Sequence, residues 1–266
     1  MNLVAQAGLL VSFPVGAAAV GAAVAAVRPP GRRVVSGVQH FAAGVVTAAL
    51  AGEIMPELRR EGHLGWTVVG FVAGAMLVLA LGEYGRRTEE GAEAEEAARR
   101  AAKASARRGI VGGKVERVAT GTLPIGMLAA IVIDLLLDGV LVGLGARLGQ
   151  AQGIILTIAL TLEILFLALS VSAELTERGM SKARAWTVCT GLGLVTAVGA
   201  VGGAAVLGGV STTVMSAVLA FGAAALLYLV VEELLVEAHE EKESIALGAM
   251  FFLGFLAIYV LSSLES

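Results

Sequence analysis

The sequence predicts an all-α integral membrane protein of eight transmembrane helices. Three observations carry that prediction. First, 57% of the 266 residues are hydrophobic and only 15% are charged, against about 25% charged in a typical soluble domain; the mean hydropathy is +0.86. Second, eight apolar runs can be drawn, each near the roughly 20 residues that a helix needs to cross a bilayer. Third, the basic residues fall in alternate connections, as the positive-inside rule requires. Thirty-five glycines suit close helix packing in lipid. A single cysteine, Cys189, excludes an intrachain disulfide and a cysteine metal cluster. The net charge of -3 carries little information, because the charges sit in loops and at helix ends.

In chain order, span 1 covers about Leu3–Val27. It lacks a basic flank and a cleavage signal, so it reads as a retained span and not a signal peptide. The link RPPGRR ends it with two prolines and a glycine. Span 2, about Val34–Leu58, closes on the acidic string GEIMPEL, and span 3 covers about Leu64–Leu81. A polar segment, 82–120, follows; its string EEGAEAEEAARRAAKASARR favours a solvated helix with close pairs of opposite charge, or a loop. Spans 4 and 5 are about Leu123–Leu148 and Ile154–Leu175. Span 6 is about Ala183–Leu207, span 7 about Thr212–Val236 with the ending EELLVEAHEEKE, and span 8 about Ile245–Leu264. The whole reads as one transmembrane domain, 1–266.

With the N-terminus outside, sixteen of the nineteen Lys and Arg residues lie in inside connections. Only Arg59, Arg60 and Arg147 lie outside. The expected topology therefore has both termini outside and the 82–120 segment in the cytoplasm of a multi-pass cell-membrane protein. Spans 2 and 7 both carry acids at i and i+4 near a helix end, Glu53 with Glu57 and Glu233 with Glu237. On this topology those ends lie at opposite faces, the pattern of an inverted repeat of spans 1–3 and 6–8 around spans 4–5.

The acids in mid-span point to function. Span 4 contains IVIDLLLDGVLVGLG, with Asp134 and Asp138; span 5 contains IILTIALTLEILFLALS, with Glu163. A carboxylate at bilayer depth costs roughly 2.5–3.5 kcal/mol on insertion scales and marks a cation, a proton or a pathway. Asp134 and Asp138 share one helix face, one turn apart. These three acids are the expected ligands of a cation; the competing reading is polar glue, protonated acids bonding between helices. Glu53 and Glu57 are either an outer-mouth metal site or ordinary interfacial acids. Glu233, Glu237 and His239, with His40 at the start of span 2, are either a cytoplasmic exit site or a solvated helix end.

The strings HFAAGVVTAALAGEIMPEL (His40 to Leu58), DLLLDGVLVGLG (Asp134 to Gly145) and VVEELLVEAH (Val230 to His239) resemble helices 2, 4 and 7 of the ZIP family of divalent-metal transporters. The eight-span layout, with a long loop between spans 3 and 4, is similar as well. The resemblance implies divalent metal as transported substrate (Zn, Mn, Fe or Cd), no cofactor, and a homodimer. Asp138 and Gly139 stand at the D/E-G positions of the fourth-helix pattern. The departures fall on ligands: Asp134 stands where the family has His, Leu135 where it has Asn, Leu165 for a proline and Phe166 for a second acid. Val45, Val46 and Thr47 stand where helix 2 often offers Met. A two-metal site is thus not expected. One oxygen-ligand site remains, better suited to Mn²⁺, Fe²⁺ or Mg²⁺ than to Zn²⁺, although Zn²⁺ also accepts carboxylates. Three carboxylates against a 2+ ion leave one negative charge that a proton can balance, a route to proton coupling.

There is no HExxH, GxSxG, P-loop or dinucleotide fingerprint, so no enzyme is expected. The basic residues are interleaved with acids and report topology, not nucleic-acid binding. The expectation is a divalent-metal transporter working by alternating access. The alternatives are a ZIP-fold protein that acts as metal sensor or partner-binding subunit, and a proton-coupled carrier of another substrate.

Overall fold

A computed structural model describes residues 2–28, 31–61, 63–109, 125–239 and 244–265. For Glu61, residues 88–109 and 125–127, Ala130, Glu233, Glu237 and Glu265 it describes the backbone alone. Among the described residues there are helices and no strands.

Helix α1 spans Leu3–Val27, with the Asn2 side chain capping the Ala5 N–H at 2.8 Å. Helix α2 spans Arg32–Ala49, continues through a π-helical segment Leu50–Ile54 and ends as α3, Met55–Glu61. Helix α4 spans Leu64–Gly109, α5 Ile125–Leu148, α6 Gln150–Glu177 and α7 Lys182–Leu207. Helix α8, Thr212–Tyr228, runs through a second π-helical segment, Leu229–Leu234, into α9, Leu235–Ala238; α10 spans Ile245–Glu265. Seven stretches of the described residues are long and apolar enough to cross a membrane. The remaining one, α5, has 24 residues, or about 36 Å at 1.5 Å per residue, and lies packed among the others. The expected start of span 4, Leu123, lies outside the described residues.

Span 3 differs from expectation in length. The helix does not stop near Leu81 but runs unbroken through Gly109, 46 residues in all. The Ala-, Glu- and Arg-rich string is made of strong helix formers with no proline, so the apolar span simply continues into the polar segment.

The turns follow from local chemistry. Gly149, between α5 and α6, has φ 147°, and Gly179, between α6 and α7, has φ 93°; both conformations favour glycine. Gly179 closes α6 as a Schellman cap: Met180 N–H bonds Leu175 O at 3.0 Å and Gly179 N–H bonds Thr176 O at 3.0 Å.

Helices α1, α5, α6 and α7 form a central group in which every helix touches the other three. Two pairs flank it, α2 with α10 and α4 with α8. Small residues set the closest approaches. Gly139 and Gly143 of α5 face Gly199 and Gly203 of α7; a Cβ on Gly143 would come within 2.6 Å of Ala200 O, and one on Gly203 within 3.1 Å of Val140 Cα. Gly44 of α2 and Gly254 of α10 meet each other's helix backbone in the same way, as do Gly70 and Gly74 of α4 against α8. Large apolar side chains such as Phe13, Val198 and Phe252 point outward, as expected of a surface solvated by lipid. Polar contacts tie helix ends together: Arg147 to Val210 O at 3.2 Å, His63 to Thr212 at 3.3 Å, and Ser36 to Ala238 O at 2.6 Å. Each joins helix ends that an alternating up-and-down path of eight spans puts at the same face.

Candidate metal centre

The α5–α6 hairpin builds the site. Asp134 and Asp138 sit near the middle of α5, one turn apart, and Glu163 sits near the middle of α6. The tight turn at Gly149 makes the two helices antiparallel neighbours, so equal distances back from the turn bring these residues to one depth. One carboxylate oxygen from each of Asp134, Asp138 and Glu163 lies within 4.8 Å of the other two. Oxygens on one Mg²⁺- to Ca²⁺-sized ion, at about 2.0–2.6 Å from it, are separated by at most roughly 4–5 Å. Small side-chain rotations would therefore place all three on a single ion. Asp138 and Glu163 are buried, 2% and 4% exposed, while Asp134 is half-buried.

The wall behind the acids is made of small residues. Gly139 lets α7 close on α5 with the Thr196 backbone against it. Thr196 is fully buried and its hydroxyl has no hydrogen-bond partner among the described residues. The sequence reading did not single it out, and a threonine in an apolar helix offers no signal by which to do so. Beyond Asp138, Leu141, Val142, Leu144 and Ala146 pack with Leu10, Ile155, Leu156 and Leu160 in a continuous apolar core. On the other side of the acids, Leu135 and Ile164 join a separate smaller cluster with Ala18 and Cys189.

The other candidate residues lie away from this cluster. Glu53 falls within the first π-helical segment, where Met55 N–H bonds Leu50 O five residues back. Pro56, one residue on, has no N–H to give to the ordinary ladder. The wider turn replaces the simple i, i+4 relation of Glu53 and Glu57. Glu53 is buried and accepts the Ser262 hydroxyl of α10 at 2.8 Å; Glu57 is partly exposed and pairs with Arg60 at 3.2 Å. At the opposite end of the bundle, His40 and His239 come together, with ring centres 5.1 Å apart. The Glu233 and Glu237 side chains lie outside the described residues.

A bundle of long apolar helices with three acids converging at mid-depth is a polytopic membrane protein equipped to handle a cation. The family model of the ZIP zinc transporter matches residues 93–262, well over half of the chain, and the chain belongs to that family. The matched region holds all three clustered acids and both members of the hairpin. Membership implies transport of divalent metal. No curated protein matches the sequence.

Proposed function

We propose that this chain carries a divalent metal cation across the cytoplasmic membrane by alternating access, with Asp134, Asp138 and Glu163 as the mid-depth binding site. The convergence of three carboxylates from two helices carries this reading: like charges held this close are relieved by a cation or by protons. Oxygen ligands with no imidazole move the preference away from Zn²⁺ and toward Mn²⁺ and Fe²⁺, although Zn²⁺ also accepts carboxylates. The ion sits between Asp138 and Glu163, and Asp134, half-buried and one turn nearer the start of α5, hands it toward the cytoplasm. The apolar core beyond Asp138 closes the route to the outer face in this state.

An inverted repeat of α1–α4 and α7–α10 around α5 and α6 accounts for the packing. It exchanges the pair α2/α10 with α8/α4, and the pair α1/α6 with α7/α5, and it maps α1/α7 onto itself; these five are the most extensive helix contacts among the described residues. It also matches the two π-helical segments to each other. With the Lys- and Arg-rich connections inside, both termini lie outside, the 82–120 segment inside, and Glu53 at the outer mouth.

Uptake of Mn²⁺, Fe²⁺, Zn²⁺ and Cd²⁺ into proteoliposomes tests the function. Uptake abolished by Glu163→Ala supports it. A folded protein that moves none of the four overturns transport and leaves a metal sensor or partner-binding subunit.

A further inference from the structure

Helices α1 and α6 run side by side in the same direction. Gly21 packs against Leu165 and Leu169, the Ser172 hydroxyl donates to Ala22 O at 3.3 Å, and nearer the helix starts Leu10 meets Gly153. Between those starts the two helices leave a groove of about 790 Å³, within the roughly 300–1,000 Å³ typical of ligand sites. Its apolar walls include Leu9 and Phe13 of α1 and Ile154, Ile158 and Leu162 of α6. Leu9 and Phe13 are 57% and 60% exposed, so the opening faces the hydrocarbon around the bundle. The polar lining residues are ordered by depth. Gln6 and Gln150 lie in the first turns of their helices, at the membrane interface. Further in, Thr157 donates to Gly153 O at 2.6 Å and Thr161 to Thr157 O at 2.5 Å. Both hydroxyl protons are thus spent within α6, and the two amides are left as the side-chain donors of the groove.

The dimensions and the chemistry identify an occupant. From Gln150 to Leu162 the groove runs about 18 Å, at 1.5 Å per residue, close to the roughly 15 Å of hydrocarbon in one leaflet. A spanning helix of a second copy, about 30 Å long, would find a seat for only half its length, because α1 and α6 close on each other at Gly21. One acyl chain fits that depth. The ester and phosphate oxygens above it are acceptors, and the glutamine side chains present N–H donors at their level. No lining residue is charged, so nothing in the groove reads the net charge of a head group. We propose that the groove is a phospholipid site, which holds one acyl chain against α1 and α6 with the ester and phosphate region on Gln6 and Gln150. The deepest lining residue on α6, Leu162, precedes Glu163, so a bound chain braces the turn that carries this acid. Binding requires neither the orientation proposed above nor transport.

The test uses the full chain, stripped of lipid by detergent exchange, and native mass spectrometry with added phosphatidylglycerol or phosphatidylethanolamine. Wild type is expected to bind one lipid more tightly than any further ones, with affinities for the two lipids within about threefold of each other. Ile158→Trp fills the groove from α6 and Leu9→Trp fills it from α1; each should weaken that first binding at least about tenfold. Val198→Trp, on the lipid-facing surface of α7, should leave it unchanged. Gln6→Ala together with Gln150→Ala should weaken it about fivefold, as expected for the loss of roughly one net hydrogen bond. The two groove tryptophans lie on different helices, so each variant checks the other, and monodisperse elution shows that each has folded. Phospholipid should also raise the unfolding temperature of wild type and of Val198→Trp, and not that of the two groove variants. The proposal is overturned if wild type binds no lipid more tightly than the rest, or if both groove variants bind as wild type does. A strong preference for phosphatidylglycerol also overturns it, because that selectivity belongs to the basic connections. No readout involves metal, so this site and the acidic cluster fail separately.

Discussion

Asp138 and Glu163 are ionisable side chains buried at mid-span, 2% and 4% exposed, where a charge is costly to keep. Asp138→Ala or Glu163→Ala is expected to weaken Mn²⁺ binding by about 100-fold, roughly 2.7 kcal/mol, with normal expression and elution. Calorimetric titration in detergent checks this, and binding unaltered in both variants would remove the site. Asp134→His puts an imidazole where the resemblance to the fourth-helix pattern implies one. It should shift the Zn²⁺-to-Mn²⁺ uptake ratio toward Zn²⁺; a competition assay with both ions present decides, and a constant ratio counts against Asp134 as a ligand. The face shared by Asp134 and Asp138 was legible because helix geometry alone sets it. That Ser262 would donate to Glu53, 209 residues away, was not, since no local pattern encodes a contact of that range.

At the level of elements, the α5–α7 crossing depends on glycines. Gly143→Ala puts a Cβ within 2.6 Å of Ala200 O, and backbone on that side cannot yield as a side-chain tip can. The expected loss is about 1–3 kcal/mol, seen as a lower unfolding temperature in detergent. Gly8→Ala on α1, where a Cβ meets nothing within 4 Å, should change little. Ser262→Ala removes a hydrogen bond to the buried Glu53 carboxylate and should cost about 1.5–3 kcal/mol if Glu53 is ionised; thermal unfolding of Ser262→Ala beside Ser263→Ala measures it. The helices themselves were readable from apolar run length. The two π-helical segments were not, because hydropathy does not report which carbonyl a given N–H reaches. Only Pro56 hinted at the first one, and such segments recur at functional sites.

For the whole molecule, orientation is the open expectation that membrane chemistry can decide. The single native cysteine, Cys189, is buried, 1% exposed, so background labelling should be low. With Ala92→Cys in the polar segment, an impermeant maleimide should label the protein only after cells are permeabilised, whereas Ser263→Cys should react in intact cells. The opposite pattern would invert the topology. The grouping of four central helices between two flanking pairs emerged only in three dimensions.

The sequence by itself determined the class, the apolar runs, their alternation and the identity of the costly acids. These depend on one-dimensional quantities: a bilayer demands a minimum length of apolar helix, each helix satisfies its own backbone hydrogen bonds, and charge is admitted at depth only for a reason. Tertiary structure alone decided that the three expected acids lie within 4.8 Å of one another, that His40 and His239 meet, and that Glu53 accepts from Ser262. Lipid tails are as apolar as a leucine-rich helix face, so hydropathy cannot distinguish a surface facing lipid from one facing protein. That choice falls to steric fit between glycine-lined helices, which appears only once they are brought together.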